Sequence, residues 1–374
     1  MDKNSTEHLQ QHFYALKLTK KEQLTKSTFA LEFEVPDLLK SNFQFQSGQY
    51  VTVKIPTENE MLFQDYSITS APYESTLSLG IKVKSAKSAA QILVQNFEVG
   101  DTLQISEPTG RFTLKSKPNE HRTILGFAAG IGITPILSHL KNILHQEPRT
   151  RFFLFFSLKN PLEIIYKETL EQLQKMYGNR FQIFYFFSQE GAENPLFEGR
   201  LSEKKLQLII NQILIYEEDD AETTIWDSTD EVLICGPGEM IKTVANACNK
   251  FGIPRKNIHF ELFDTFDGDI FTSEKKIPLL ENIETTIQLS GKNYDFVFKN
   301  NQEKILTQLL ALGLEVPYSC KSGVCGNCIC TLKEGKVELL ENEYLTPKEE
   351  KEGKILACQS IILSKKINLN FDDV

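Results

Sequence analysis

Ile124-Leu125-Gly126-Phe127-Ala128-Ala129-Gly130-Ile131-Gly132-Ile133-Thr134-Pro135 carries an apolar strand into two closely spaced glycines and then into a proline where a helix begins. Glycine has no Cβ, so a pyrophosphate can approach the backbone, and proline suits a first helical turn, where its missing N–H is no loss. The string reads as the phosphate turn that opens a dinucleotide-binding α/β domain. Downstream, apolar runs at 151–156, 180–187, 231–235 and 257–261 alternate with helical periodicity over 135–145, 161–177 and 239–251. That alternation predicts a parallel sheet covered on both faces. A second strand-end turn, Cys235-Gly236-Pro237, repeats the first, and Cys235 reads either as a small buried residue or as a thiol facing a nicotinamide ring. The acidic stretch 216–222 has no apolar period and reads as a solvated insertion.

Toward the N-terminus the style changes. Residues 13–115 consist of short alternating runs, such as 28–34 and 50–55, punctuated by Pro and Gly and interrupted by one helical stretch at 89–97. This pattern predicts an antiparallel β-barrel. Toward the C-terminus, a charged stretch at 265–283 reads as a linker, and the remainder fits a compact β-grasp domain: strands at 285–289 and 294–298, then a helix over 304–312. The expected domains are therefore 10–116, 117–264 and 284–374.

The last segment holds Cys320, Cys325, Cys328 and Cys358 in a Cys-x4-Cys-x2-Cys run with one distant partner. This is the plant-type [2Fe-2S] ligand spacing. A structural zinc site brings its ligands in two close pairs, and no His lies in this segment, so zinc fits poorly. Cys330, two residues beyond a ligand, reads as one face of the following strand.

The 374 residues suffice for two or three cores, and 41% hydrophobic with 24% charged residues is ordinary for a globular protein. A formal net charge of −9 argues against nucleic-acid binding. The polar N-terminus and the lack of a long apolar run predict neither a signal peptide nor a membrane span. Seven cysteines, four of them assigned to a cluster, suit a reducing cytoplasm. The six His residues lack metal-ligand spacing with carboxylates, so oxygen chemistry is expected on a separate protein.

The order barrel, nucleotide domain, plant-type cluster resembles the ferredoxin-NADP reductase superfamily, specifically its oxygenase reductases with a C-terminal ferredoxin domain, those serving phenylacetyl-CoA oxygenases among them. The resemblance implies FAD rather than FMN in the barrel, a [2Fe-2S] cluster, and NADPH or NADH as hydride source. The flavin would then convert a two-electron donor into one-electron output. It implies that Gly130, Gly132, Thr134, Pro135, Gly236 and Pro237 hold the nucleotide, and that Tyr66, Ser67, Cys235 and Glu261 surround the reacting rings. Tyr66-Ser67 matches the family's Arg-x-Tyr-Ser flavin signature, but Gln64 stands at the Arg position, where a neutral amide cannot form a charge-assisted pair with phosphate. The second flavin-phosphate segment appears as Ala86-Lys87-Ser88-Ala89-Ala90, with Ala90 at the family's Ser position. Ile81, Lys82, Lys87 and Ser88 are the further flavin-side contacts implied. Lys159 is placed to meet an adenosine 2′-phosphate, which favours NADPH. The implied partner is a di-iron oxygenase or desaturase. The alternatives are a fatty-acyl desaturase or hybrid-cluster protein as acceptor, or a flavin-less electron carrier or redox sensor.

Overall fold

The computed structural model describes residues 12–57, 60–85, 88–189, 195–212, 229–264, 266, 269–271, 277–318, 321, 323, 326–342 and 344–373. The chain separates into two compact units, Met1–Glu261 and Leu262–Val374.

The first unit opens with strands β1 (Phe13–Thr25), β2 (Thr28–Glu34), β3 (Tyr50–Pro56), β4 (Met61–Ser67) and β5 (Thr76–Lys82), helix α1 (Ala89–Asn96) and strand β6 (Thr102–Ser106). Their sheet runs β4-β3-β6-β1-β2-β5, with every pairing antiparallel, and a bridge between Ile68 and Leu79 joins its two ends into a barrel. Alternate residues point inward, so Leu16, Leu18, Leu31, Phe33, Val53 and Ile105 fill the core.

The same unit continues with β7 (Thr123–Ala129), α2 (Ile133–Gln146), β8 (Arg151–Leu158), α3 (Lys167–Tyr177), β9 (Phe181–Phe187), α4 (Glu203–Gln212), β10 (Thr229–Cys235), α5 (Gly238–Lys250) and β11 (Ile258–Glu261). This sheet is wholly parallel and ordered β11-β10-β7-β8-β9. Because β7 lies at its centre, helices cover both faces and six of its seven residues are buried, which explains the unbroken apolar run. Strand order reverses between β7 and β10. Ligands of such sheets bind at that reversal, beyond the strand C-termini.

One expected helix is broken. Over 161–177 a 3₁₀ turn at Pro161–Glu163 is capped by Asn160, the chain then extends through Ile164, and Tyr166 adopts φ 58°, ψ 31° before α3 starts. The Asn160 side chain competes with helical bonding, so the periodicity continues while the backbone does not. Helix α4, with Leu206 and Ile209 buried, was not anticipated. The acidic stretch 216–222 lies outside the described residues.

The second unit contains β12 (Glu281–Leu289), β13 (Lys292–Asn300), α6 (Ile305–Ala311), β14 (Ile329–Glu334), β15 (Val337–Leu339), α7 (Pro347–Lys351), β16 (Lys354–Leu356), β17 (Ser360–Ile362) and β18 (Lys366–Asn370). Ser290 and Gly291 both have positive φ, as a two-residue turn between β12 and β13 requires. The main sheet runs β13-β12-β18-β14-β16, and Ile305, Leu306 and Leu309 of α6 belong to its core. Asn301 accepts from the Leu280 amide and donates to the carbonyls of Pro278 and Ile362. The end of the expected linker is thereby tied to this sheet.

Candidate functional site

The two glycine turns sit side by side at the strand reversal. Gly130 has φ +53°, and a Cβ there would meet only the Lys82 ammonium, 3.7 Å away. Gly132 differs, because a Cβ on it would lie 2.2 Å from the Cys235 carbonyl oxygen. Its missing side chain therefore lets the β7 and β10 turns pack against each other, whereas Gly130 leaves an open cradle. A Cβ on Gly236 would lie 2.7 Å from Met240 Cε and 3.0 Å from the Ala129 Cβ, a less crowded position than Gly132. Pro237 caps α5. Thr134 and Pro135 are buried beneath the loop, and the Thr134 hydroxyl donates to the Ile131 carbonyl at 2.9 Å.

Positive charge gathers beside Gly130. Burial lowers the Lys82 pKa from its ordinary value, Glu163 at 4.0 Å opposes that, and the ammonium groups of Lys159 and Lys84 add to it. A cation crowded by like charges is suited to an anion, and phosphate would relieve the repulsion. Lys159 itself is exposed at the end of β8. Lys84 and Glu163 were not singled out from the sequence, since only the fold brings β5 beside the turn after β8.

Ser67, Cys235 and Glu261 converge across 194 residues of chain. The Ser67 hydroxyl donates to Glu261 Oε2 at 3.3 Å, and Glu261 lies in register with the buried Cys235 on the neighbouring strand. Burial pushes the Glu261 carboxyl up to about 8; the Ser67 hydrogen bond lowers it and Asp65 raises it. Burial, with Glu261 nearby, also raises the Cys235 thiol well above its ordinary value, so it is a neutral thiol. Tyr66 is buried, and its hydroxyl has no hydrogen-bond partner among the described residues. A serine bonded to a carboxyl of raised pKa at the strand reversal forms a polar rim that fits the polar edge of a flavin, while the orphaned Tyr66 phenol lies among the barrel's apolar residues and Cys235 is buried behind the rim.

The flavin-phosphate positions are less complete. Gln64 is exposed on β4 opposite Val53. The Ile81 side chain is fully buried in the barrel core, leaving only backbone to offer a cofactor. Ser88 caps α1 by accepting from the Gln91 amide at 3.2 Å. Lys87 lies outside the described residues.

In the second unit, Cys328 and Cys358 are buried together, and the Cys358 amide donates to Cys328 Sγ at 3.5 Å. An N–H aimed at sulfur is the contact expected around a thiolate that ligates iron. Gly326, φ +76°, lies under the Tyr344 ring, 2.1 Å from where a Cβ would sit, and Gln359 donates to the Lys321 carbonyl at 2.8 Å. These contacts anchor both ends of the loop. Cys320 and Cys325 lie outside the described residues. Cys330 is buried in the β14 face within the apolar core, as packing predicts.

Three family models match the chain in sequence: an oxidoreductase FAD-binding domain over residues 15–114, an oxidoreductase NAD-binding domain over 127–246, and a 2Fe-2S iron-sulfur cluster binding domain over 287–363. One component of the 1,2-phenylacetyl-CoA epoxidase of Escherichia coli (strain K12) is 29% identical over 96% of this chain and 98% of its own length. The ferredoxin reductase component of the 3-ketosteroid-9-alpha-monooxygenase of Rhodococcus rhodochrous is 29% identical over 93% of each. Among solved structures, phthalate dioxygenase reductase superposes with a TM-score of 0.53 at 21% identity, over 96% of this chain and 98% of that one. Its likeness extends the same fold over nearly the whole chain.

Proposed function

The chain belongs to the oxygenase-reductase type of the ferredoxin-NADP reductase superfamily, with a C-terminal 2Fe-2S domain, and on that premise we propose which residues carry its reaction and which partner it serves. Bound FAD and a [2Fe-2S] cluster would supply the conversion of one hydride into two single-electron transfers. The protein's own work is placement. Gly130 and the Lys82, Lys84 and Lys159 ammonium groups receive the nucleotide phosphates. Gly132 and Gly236 hold the two turns in contact, and Pro237 starts the helix behind them. Tyr66, whose buried hydroxyl lacks a partner among the described residues, would help hold the flavin. Ser67 and Glu261 share a proton at the rim, and Cys235, kept neutral, fills the space beside the nicotinamide.

The observation that carries this reading is the Ser67–Glu261 hydrogen bond beside Cys235 at the strand reversal, because chain connectivity alone gives no reason for the three to meet. Anaerobic titration with NADPH and NADH in parallel tests it. Loss of both flavin and cluster absorbance is expected, with NADPH favoured through Lys159. Unchanged spectra in protein shown to carry both groups would refute it.

Cys320, Cys325, Cys328 and Cys358 are the proposed cluster ligands. Cys358→Ser should abolish electron delivery to a one-electron protein acceptor and leave nucleotide-dependent flavin reduction intact. The partner is a di-iron oxygenase acting on an aryl-acetyl thioester, a reading supported by the near-complete overlap with the epoxidase component. Coupled turnover with such an oxygenase, set against a steroid monooxygenase, discriminates between them. The domain limits at 116, 264 and 284 are proposed sites of limited proteolysis.

A further inference from the structure

Tyr166 combines three features that no contact so far explains. It is a bulky aromatic residue in left-handed backbone, where sterics disfavour any side chain. It is buried, and among the described residues Thr69 is the polar side chain that faces its hydroxyl. Its hydroxyl also stands against β5, 2.9 Å from where a Cβ on Gly80 would lie.

Gly80 is the meeting point. It sits one residue before Ile81 and two before Lys82, on the flavin-side strand, and pairs across the ladder with Ala30, another small residue in the apolar cluster that contains Tyr166. A Cβ on Gly80 would approach Thr134 Cγ2 to 2.5 Å and Ile131 Cδ1 to 3.6 Å. The Thr134 hydroxyl is committed to the Ile131 carbonyl, which turns its methyl toward the barrel. Thus the nucleotide loop, the start of α3 and the flavin-side strand touch at one notch in the barrel wall.

We infer that Tyr166, acting with Thr134 on the notch at Gly80, is a positioning residue that sets the spacing between the flavin-side strand and the nucleotide loop, and so between hydride acceptor and donor. The inference rests on the reductase reading above. The left-handed turn drives the ring into the notch, and the notch admits it only because β5 carries no side chain there. Carbon atoms pack at ~3.5–4.0 Å, so a methyl on Gly80 must push loop and strand apart by roughly 1 Å. A displacement of about 1 Å at a reacting pair costs up to about 100-fold in rate.

Stopped-flow reduction of the full-length holoprotein tests this. Gly80→Ala should lower the limiting rate of flavin reduction about 10- to 100-fold, with flavin content kept and nucleotide affinity changed less than about threefold. The long-wavelength nicotinamide–flavin absorbance should weaken in parallel. Adding Thr134→Ser, which removes the opposing methyl, should restore most of the rate. Tyr166→Leu, which adds no bulk to the notch, provides a second route and should slow reduction about tenfold. A normal rate in Gly80→Ala or Tyr166→Leu overturns the inference, as does a loss that follows flavin release and is not rescued by Thr134→Ser. Wild-type flavin that neither nucleotide reduces overturns the reductase reading and this inference with it.

Discussion

The two ends of the parallel sheet each hold a carboxylate, and they treat it oppositely. At the edge where strands begin, Glu147 is fully buried but surrounded: Arg122 donates to both of its oxygens, Thr150 donates to one at 2.6 Å, and the Lys117 amide to the other at 2.9 Å. Burial alone would raise its pKa, but these donors together bring it below the ordinary value. At the edge where strands end, Glu261 has the Ser67 hydroxyl and a repelling Asp65, and burial prevails. At the first edge the carboxylate itself is satisfied, so losing one of its partners would be costly to the fold. The second is left poor in counter-charge, the arrangement that keeps a group available for chemistry.

The largest expected effect lies at the satisfied edge. Arg122→Met would strand a buried carboxylate and should cost about 3–5 kcal/mol in denaturant unfolding. Nucleotide-dependent reduction per folded molecule should stay unchanged. A slower reaction without lost stability would break the comparison. Next, Glu261→Gln should slow flavin reduction about 100-fold in stopped flow without any loss of stability. A large stability loss there would show that the two edges are alike.

The pH dependence sharpens the contrast further. Glu261, raised to about 8 against 4.5 when unfolded, binds its proton more tightly in the native state. Its contribution to stability is present below about 4.5 and is lost as pH rises toward 8. Glu147, lowered from 4.5, contributes above that value and loses its contribution as pH falls. Thermal unfolding across pH should therefore show two opposite slopes, and Glu261→Gln should remove only the alkaline one. The smallest effect is expected at the surface: Lys159→Ala should shift the NADPH-to-NADH preference only about two- to fivefold, because exposed charges contribute little. An unchanged ratio of the two kcat/KM values would remove Lys159 from nucleotide choice.

Much of this architecture was legible along the chain. Period-2 runs marked the barrel, and unbroken apolar runs separated by helical periods marked the parallel sheet, because a strand buried on one face and a strand buried on two faces demand different residues. Where the reading missed, a local competitor prevailed. Asn160 capped a 3₁₀ turn inside a stretch of helical period, and the apolar residues of α4 crowd into Leu206-Gln207-Leu208-Ile209-Ile210, a run that carries no clear helical period. In the site, the Gly130 turn and the Cys235 turn were each visible as strings. That Gly132 serves packing and Gly130 openness was not, since both are the same residue in the same motif.

The sequence by itself determined the three kinds of sheet, their order, and the thiol and glycine strings that name the cofactors, because those depend on residue type and spacing within a few turns of chain. Only the tertiary structure decided that Ser67 meets Glu261, that Lys82 faces Gly130, and that Tyr166 fills the notch at Gly80. Those pairs lie far apart along the chain, and the properties that matter in them, a raised carboxyl pKa and a fixed spacing, arise from burial and close approach that exist only once the barrel and the parallel sheet have packed together.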